Sequence, residues 1–528
     1  MPDTISAPAM PVAPAANQTE VFAVHGADPE VLAYAMARYS RSSLSMKESL
    51  REISSQRAEQ FLNTFYFQYG HRSIADLAHV AFAIERLSLL AAISLVDEQR
   101  WDGQERSTRY QNFKKSGWYT PSFGADAAAQ EQYTAAAQDL FASYDRISLG
   151  MMESLKAAIP RPEEMKPDAY ERTLKARAFD VARYLLPLAT NTSLGQIVNA
   201  RTLETQVSRL LSSPFAEIRN LGEKLREAAA GAAWNVNHDN LRALQQEIAA
   251  VDPALGAKAE ELLLREVKTA PTLVKYAAPN AYEQATRQEL AQAAAELMRG
   301  TAIAPAPVVD LLEQEPLEVE LATSLLYPHC HYSYRQLRDQ VAALGAAQRE
   351  EMVALGAKHR GRHDELLRGF HSGSGLRFDI LMDIGGFRDM HRHRRCVQLL
   401  QGYTDAHGCE VPDCPGQPTL AEAGLQAEYN RAMDAAFAAY ASLSQSSAAE
   451  ARESAQYVLP LGTRCRSLFK MDFAEALYIS ELRSTVAGHF SYRRVAWEMY
   501  QAVAKAHPSL AQYFRISDVN EPVDLLQR

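Results

Sequence analysis

The chain is expected to fold as α+β, mostly helical, in two tandem copies of one module. Three observations predict this. Apolar residues recur at three- and four-residue spacing through most of the 528 residues, the mark of amphipathic helices. Two short stretches alternate instead: HVAFAI at His79–Ile84, and the set Phe378, Ile380, Met382 and Ile384. That is the period of a strand. Segments of the first half also recur in order in the second, and a duplication explains this better than two unrelated domains do.

Residues 1–18 are Pro/Ala-rich, with no basic start and no apolar core. They read as a disordered tail and not as a signal peptide. From Pro29, VLAYAMARYS and LREISSQRAEQFLNTFYFQYG read as helices, the second closed by Gly70. His71-Arg72-Ser73 precedes the HVAFAI strand. Leu87–Val96 is apolar on every side, so a buried helix is expected. It runs into Asp97–Tyr110, DEQRWDGQERSTRY, and Tyr119 and Pro121 punctuate the exit. An amphipathic helix is expected over 126–159. After Pro160, Pro162 and Pro167 come TLKARAFDVARYLLPLAT and then SLGQIVNARTLETQVSRLL, both read as helical. On the latter, Arg201, Thr205 and Arg209 share roughly one face. That stripe suits snorkelling surface side chains and an anion pocket equally. Residues 225–300 read as Ala/Glu-rich helix, and GTAIAPAP over 300–307 as a linker.

The order then repeats. PLEVELATSLLY echoes PEVLAYAMARYS, and FRDMHRHRR follows the second alternating stretch after Gly385-Gly386. LQAEYNRAMDAAFAAYASL matches the 126–159 helix, and SAQYVLPLGT matches DVARYLLPLAT. ISELRSTVAGHFSYRRVAWEM is set against IVNARTLETQVSRLLSSPFAEI. The chain therefore divides into a tail (1–18), a first module (19–225), a helical insert with linker (226–307) and a second module (308–528).

A net charge of −9 argues against a general nucleic-acid binder, which needs a basic face. No apolar run reaches the length of a membrane helix. Five scattered cysteines without an export signal read as reduced cytoplasmic thiols. Neither His407, Cys409 and Cys414 nor His329-Cys330-His331 has the paired spacing of a zinc site, so no metal is expected.

Two stretches carry chemistry. In an extended segment Glu105, Ser107 and Arg109 would face one pocket, with Thr108 and Tyr110 opposite. A guanidinium and a hydroxyl together suit a phosphate, although a solvated loop with a surface salt bridge uses the same residue types. In the second half, Arg388 and Arg392 are i, i+4 neighbours, which repel unless something anionic lies between them. The alternative is a solvated basic helix end favoured by the dipole.

These residues resemble the flavin-dependent thymidylate synthases (ThyX-like), whose signature is RHRxxSxNExSxRY with G-H-x-S/T, A-R-x-x-L-P and N-x-R segments around it. The first copy is similar through Gly70-His71, Ser73, Glu105-x-Ser107-x-Arg109-Tyr110, Arg183 before Leu186-Pro187, Asn199-Ala200-Arg201 and Arg209. It has Asp97-Glu98-Gln99 where RHR belongs, with Asp102 and Gln104 for the motif's first serine and its asparagine. The second copy keeps Arg392-His393-Arg394 but lacks ExSxRY and has Gln456 in the Arg183 place. Arg483 is set against the N-x-R arginine and Arg493 against the later one.

The resemblance implies two ThyX-like modules, each with a small antiparallel sheet. It implies FAD-dependent reductive methylation of dUMP to dTMP, with methylenetetrahydrofolate and NADPH as co-substrates. Glu105, Ser107, Arg109, Arg183 and Arg392 would bind the nucleotide, and Ser73, Asn199, Arg201, Arg392, His393, Arg394 and Arg483 the flavin. Arg209, with Arg493 as the alternative, would polarise the uracil as the catalytic arginine. The family builds its sites between four identical subunits. Here the first-copy cradle is expected to face the second-copy RHR at one composite site. The opposite pairing is expected to be dead, and a homodimer would act as a pseudo-tetramer. The competing readings are a related flavoenzyme acting on another pyrimidine nucleotide and a non-catalytic flavin- or nucleotide-binding protein.

Overall fold

In the computed structural model, residues 24, 26–38, 46–52, 72–361, 364–521 and 523–526 are described. The tail, Gly70-His71 and most of the second expected helix lie outside the described residues. The first module contains helices α1 (Pro29–Arg38) and α2 (Met46–Glu52), strand β1 (His79–Ser88), helix α3 (Leu89–Leu95) and strand β2 (Asp102–Glu105). Helices α4 (Ala127–Ala158) and α5 (Pro167–Ala182), strand β3 (Asn191–Asn199), and helices α6 (Ala200–Leu211) and α7 (Ala216–Ala230) follow. The sheet is antiparallel in the order β1-β3-β2.

SLGQIVN is thus a strand and not the start of a helix. Thr192, Leu194, Gln196 and Val198 are buried, at every second position. The helix begins only at Ala200, where the Asn199 side chain accepts the Thr202 N–H and caps it. The buried helix expected over 87–96 is likewise shorter. β1 runs to Ser88, and the Ser88 hydroxyl caps α3 through the Ala91 N–H.

The insert forms α8 (His238–Val251), α9 (Pro253–Leu263) and α10 (Ala281–Leu297). No residue of α8 is buried. In contrast, Leu290 and Ala294 of α10 enter an apolar cluster of the second module. That module has β4 (Val309–Leu311), α11 (Leu317–Leu326), α12 (Tyr334–Ala343), α13 (Ala346–Leu355), β5 (Leu376–Asp383), α14 (Ile384–Met390) and β6 (Val397–Leu400). It ends with α15 (Gln426–Ser444), α16 (Ala449–Ser454), β7 (Arg464–Met471), α17 (Phe473–Ser484) and α18 (Phe490–Ala506). Its antiparallel sheet runs β4-β5-β7-β6. Every residue of β7 after Arg464 is buried, so it shows no alternation from which a strand could be read.

Strands β1, β2 and β3 correspond to β5, β6 and β7, and α3, α6 and α7 to α14, α17 and α18. Even the caps correspond, with their chemistry exchanged. Ser88 donates to Glu217 of α7 at 2.6 Å, whereas Asp383 accepts the hydroxyl of Ser491 on α18.

The modules meet about a pseudo-twofold axis at the two L-P-L segments. Leu188 N–H donates to Leu459 O and Leu461 N–H to Leu186 O, both at 2.9 Å. Ala189 N–H to Tyr457 O and Gly462 N–H to Tyr184 O repeat the reciprocity. Each partner's patch meets its own copy, as in an isologous dimer interface. One apolar core is continuous across it, from Leu186 and Leu188 to Leu459, Leu461 and Phe387. The symmetry sets Arg183, at the start of the first L-P-L segment, against α14, and Gln456 against α3.

Candidate functional site

The first-copy cradle and the second-copy RHR do converge, within one chain. Arg109 donates to the Tyr492 hydroxyl at 2.9 Å. Arg483 lies over the same tyrosine ring at 5.4 Å and donates from Nε to His393 Nε2 at 2.7 Å. Glu105 takes Arg388 of α14 at 2.5 Å, and Arg394 lies over the Trp101 ring at 4.5 Å. α14 ends at Met390, so Arg392 lies past it in an exposed turn and is not an i, i+4 helix neighbour of Arg388; Glu105 pairs with Arg388.

The cradle is not the extended segment read from its alternation. β2 ends at Glu105, and the Ser107 hydroxyl accepts the Arg109 N–H at 3.2 Å, turning the chain out of the ladder. The strand alternation therefore stops at Glu105. Arg109 spends its fork on protein: Asp180 takes Nε and one Nη at 2.8 and 3.3 Å, and Ala487 O a further N–H at 3.2 Å. It is a buried strut between modules. Asp180 precedes Arg183 by one turn of α5. A carboxylate in the middle of an apolar helix face was the signal that sequence reading passed over.

Arg183 behaves differently. It is 1% exposed, its Nε and one Nη have no acceptor, and its nearest carboxylate is Asp389 at 3.6 Å. Arg388 and Arg394 also leave Nε unpaired. Buried donors without acceptors cost about 1–3 kcal/mol each, so the cluster suits a bound anion. Burial, then Arg392, pushes Arg394 down to about 10. Burial, then Arg483 and Arg394, pushes His393 down to about 3. His393 is therefore a neutral acceptor for Arg483, and Arg392 is exposed beside it.

Five expected site residues lie elsewhere or serve another role. Arg209, expected at this centre, binds Glu98 through Nε and Nη2 at 3.0 and 2.8 Å on the opposite side of the pseudo-twofold. Its counterpart at the end of α17 is Arg483, within one residue. Arg483 was aligned with Arg201 because β7 was not recognised as a strand. Arg493, on α18, corresponds to Arg219 and is anchored to Ser484 O. Ser73 and Arg201 also lie away from RHR. Arg201 sits 3.4 Å from Asp76 and 3.7 Å from Glu365. Asn199 serves as a helix cap, and in the second module Asp472 caps α17 in its place.

The opposite pairing, expected to be dead, is built around open space. A cavity of about 1060 Å³ is lined by Asp97–Arg100, Arg201, Arg209, α10 and residues 398–400. Arg368 bonds Asp97 there. Burial opposes ionisation, yet Arg368, His391 and Arg209 hold Asp97 below the usual carboxylate range. A second cavity of about 240 Å³ lies behind it, between α3 and residues 400–403. Among the described residues no cluster of three or more His, Cys, Asp or Glu could hold a metal ion. No described helix is long and apolar enough to cross a membrane.

Comparison with known proteins matches both modules to one family model, that of the thymidylate synthase complementing protein, at residues 23–233 and 321–509. A UPF0159 protein of Chlamydia pneumoniae is 27% identical over 540 residues, 96% of this chain and 93% of that protein. One from Thermoplasma acidophilum is 26% identical over 92% of this chain and 95% of its own length. A flavin-dependent thymidylate synthase of Clostridium tetani is 25% identical over 211 residues, 40% of this chain and 81% of its own. The crystal structure of the flavin-dependent thymidylate synthase ThyX from Helicobacter pylori, complexed with FAD and dUMP, is 18% identical. It covers 38% of this chain and 89% of its own, with a TM-score of 0.23.

Proposed function

This chain belongs to the thymidylate synthase complementing protein family, and from that premise we propose that it methylates dUMP to dTMP at one composite centre per chain, using FAD, methylenetetrahydrofolate and NADPH. The observation that carries the reading is Arg183, a fully buried cation with two unpaired N–H edges in a cluster that draws on both modules. A phosphate supplies the missing acceptors, and the family resemblance adds the half-buried Ser107 hydroxyl as a further donor. Arg483 takes the ring-polarising role, because it stands with RHR and Arg209 does not. A fixed cation there favours negative charge developing on the uracil.

The residues present fit a flavin at the second-copy turn, where, among the described residues, neither Arg392 nor Arg394 has a carboxylate within ion-pair distance and Arg394 Nε is unpaired. They fit it poorly at the first-copy counterpart, where Asp97 and Glu98 stand. Reduced FAD, when bound, supplies the chemistry that carries the folate methylene to the pyrimidine. Neutral His393 orients Arg483 by accepting its Nε–H, while its own Nδ1 faces Glu475 at 3.8 Å.

The test is an anaerobic assay for dTMP on the yellow holoprotein with dUMP, methylenetetrahydrofolate and NADPH. Activity should vanish in Ser107→Ala and in His393→Ala. Because the contacts run within one chain, mixing the two variants should not restore it, and recovery on mixing would move the centre to the interface between chains. We propose a cytoplasmic homodimer as the working form, to be checked by sedimentation.

One observation favours a second reading. Arg109, Arg183 and Arg388 each already have an in-chain carboxylate nearby: Asp180, Asp389 and Glu105. A protein that binds flavin or nucleotide without turnover, or acts on a less charged pyrimidine, would carry such neutralisation. Yellow protein that binds dUMP and yields no dTMP would favour it.

A further inference from the structure

The pseudo-twofold gives every cradle residue a counterpart, and the counterparts have lost their charge. By strand register Glu105 corresponds to Leu400, Ser107 to Gly402 and Arg109 to Thr404, since β2 and β6 pair β3 and β7 in step. Gln456 stands in the place of Arg183. The space itself persists as the cavity of about 240 Å³, lined by Gln401, Gly402, Tyr403 and Gln456 on one side and by Leu90 and Ile93 of α3 on the other. Phe387 and His391, stacked at 5.1 Å, wall one end.

Polar atoms on this lining have no partner. The Gln401 amide nitrogen donates to Tyr332 O at 2.9 Å, which fixes the amide and leaves Oε1 buried with no donor. The Tyr403 hydroxyl is buried and unpaired as well. Gln398 Nε2 donates to His393 O, so its Oε1 must accept from His391 Nδ1, 2.7 Å away. That leaves His391 Nε2 as an acceptor without a hydrogen bond, 3.7 Å from Asp97 Oδ1. Two residues, Gln401 and Tyr403, are 2% and 5% exposed, so water outside does not reach these groups freely. The charged groups at the rim are already matched, Asp97 with Arg368 and Arg209 with Glu98.

We propose that this second cavity binds an uncharged, N–H-bearing planar heterocycle, a nucleobase or nucleoside and not a nucleotide. Unpaired acceptors ask for ligand N–H groups, and the aromatic and aliphatic walls suit a flat ring. No guanidinium remains at the cradle positions to repay the desolvation of a phosphate. The proposal is independent of turnover at the first centre.

The test titrates full-length protein with deoxyuridine and with dUMP by calorimetry, with near-UV circular dichroism to verify each variant's fold. Tyr403→Phe and Gln401→Met should each weaken deoxyuridine about 5-fold or more, the worth of one buried hydrogen bond. Ser107→Ala, in the other centre, should leave that binding unchanged. Gln456→Arg, which recreates the missing guanidinium, should shift preference toward dUMP. No saturable deoxyuridine binding, or binding equally strong in folded Tyr403→Phe and Gln401→Met, overturns the proposal. So does loss of deoxyuridine binding in Ser107→Ala alone, since that would put the ligand in the first centre. Failure of dTMP synthesis with these results intact would count only against the catalytic reading.

Discussion

Replacing Arg109 with Met distinguishes a strut from a phosphate ligand. The side chains of Arg109 and Asp180 are 9% and 3% exposed, and their bond is bidentate. Removing the guanidinium takes from the buried Asp180 carboxylate its bidentate partner, and breaking one side of such a pair costs about 3–5 kcal/mol. At about 2.1 cal/mol/K of unfolding entropy per residue, a body of 528 residues moves its midpoint by about 1 °C per kcal/mol. Thermal unfolding should therefore fall by about 3–5 °C. Removing both charges together, as Arg109→Met with Asp180→Leu, should recover most of the loss, because the pair itself contributes little net stability. Calorimetric titration with dUMP on that double variant should give nearly wild-type affinity. A midpoint within about 1 °C of wild type for Arg109→Met (about 1 kcal/mol or less), together with a tenfold weaker dUMP affinity, would refute the reasoning and return Arg109 to the ligand.

Other outcomes follow from the same contacts. Arg183→Gln, which copies Gln456, should weaken dUMP by about 10- to 100-fold through the loss of charge-assisted bonds, as read by titration; an unchanged affinity would show that its unpaired edges meet water. Burial pushes His393 down to about 3, and His329 and His407 to about 4, against an ordinary 6.5. The unfolded chain therefore takes up protons that the folded chain refuses. Stability should be full above about pH 6.5 and fall as pH drops toward 4. Urea midpoints at pH 7 and 5 test this, and His393→Asn should show a smaller drop than wild type. Gly386→Ala would put a Cβ 2.7 Å from Ser491 Oγ and 2.8 Å from Met382 Cε, so a loss of about 1–3 kcal/mol is expected on chemical unfolding. A neutral result would show that α14 can shift.

Much of this protein was legible in one dimension. Apolar periodicity marks α4 and α15, and alternation marks β1, because each of those elements buries one face and wets the other; β5 is buried on both faces and alternates because buried Arg377, Asp379 and Asp383 stand between its apolar residues. The repeated L-P-L segments disclosed the duplication, and the same segments turn out to form the pseudo-twofold contact. What failed did so for local reasons. β7 is buried on both faces and shows no period, so the second-copy arginines were aligned a strand too late, and Arg483 was taken for the wrong counterpart. The alternation at 105–109 was undone by one hydroxyl bonding two residues ahead.

The residues themselves determined that two half-sites exist and that each copy keeps what the other lost. Only the tertiary structure decided which halves meet, because a twofold contact pairs residues by symmetry and not by sequence distance. It brought Asp180 and Asp389 to arginines that look free in the sequence. It also opened the larger space on the side where the motif is most eroded. A guanidinium's role depends on which acceptor reaches it first, and that is settled by packing.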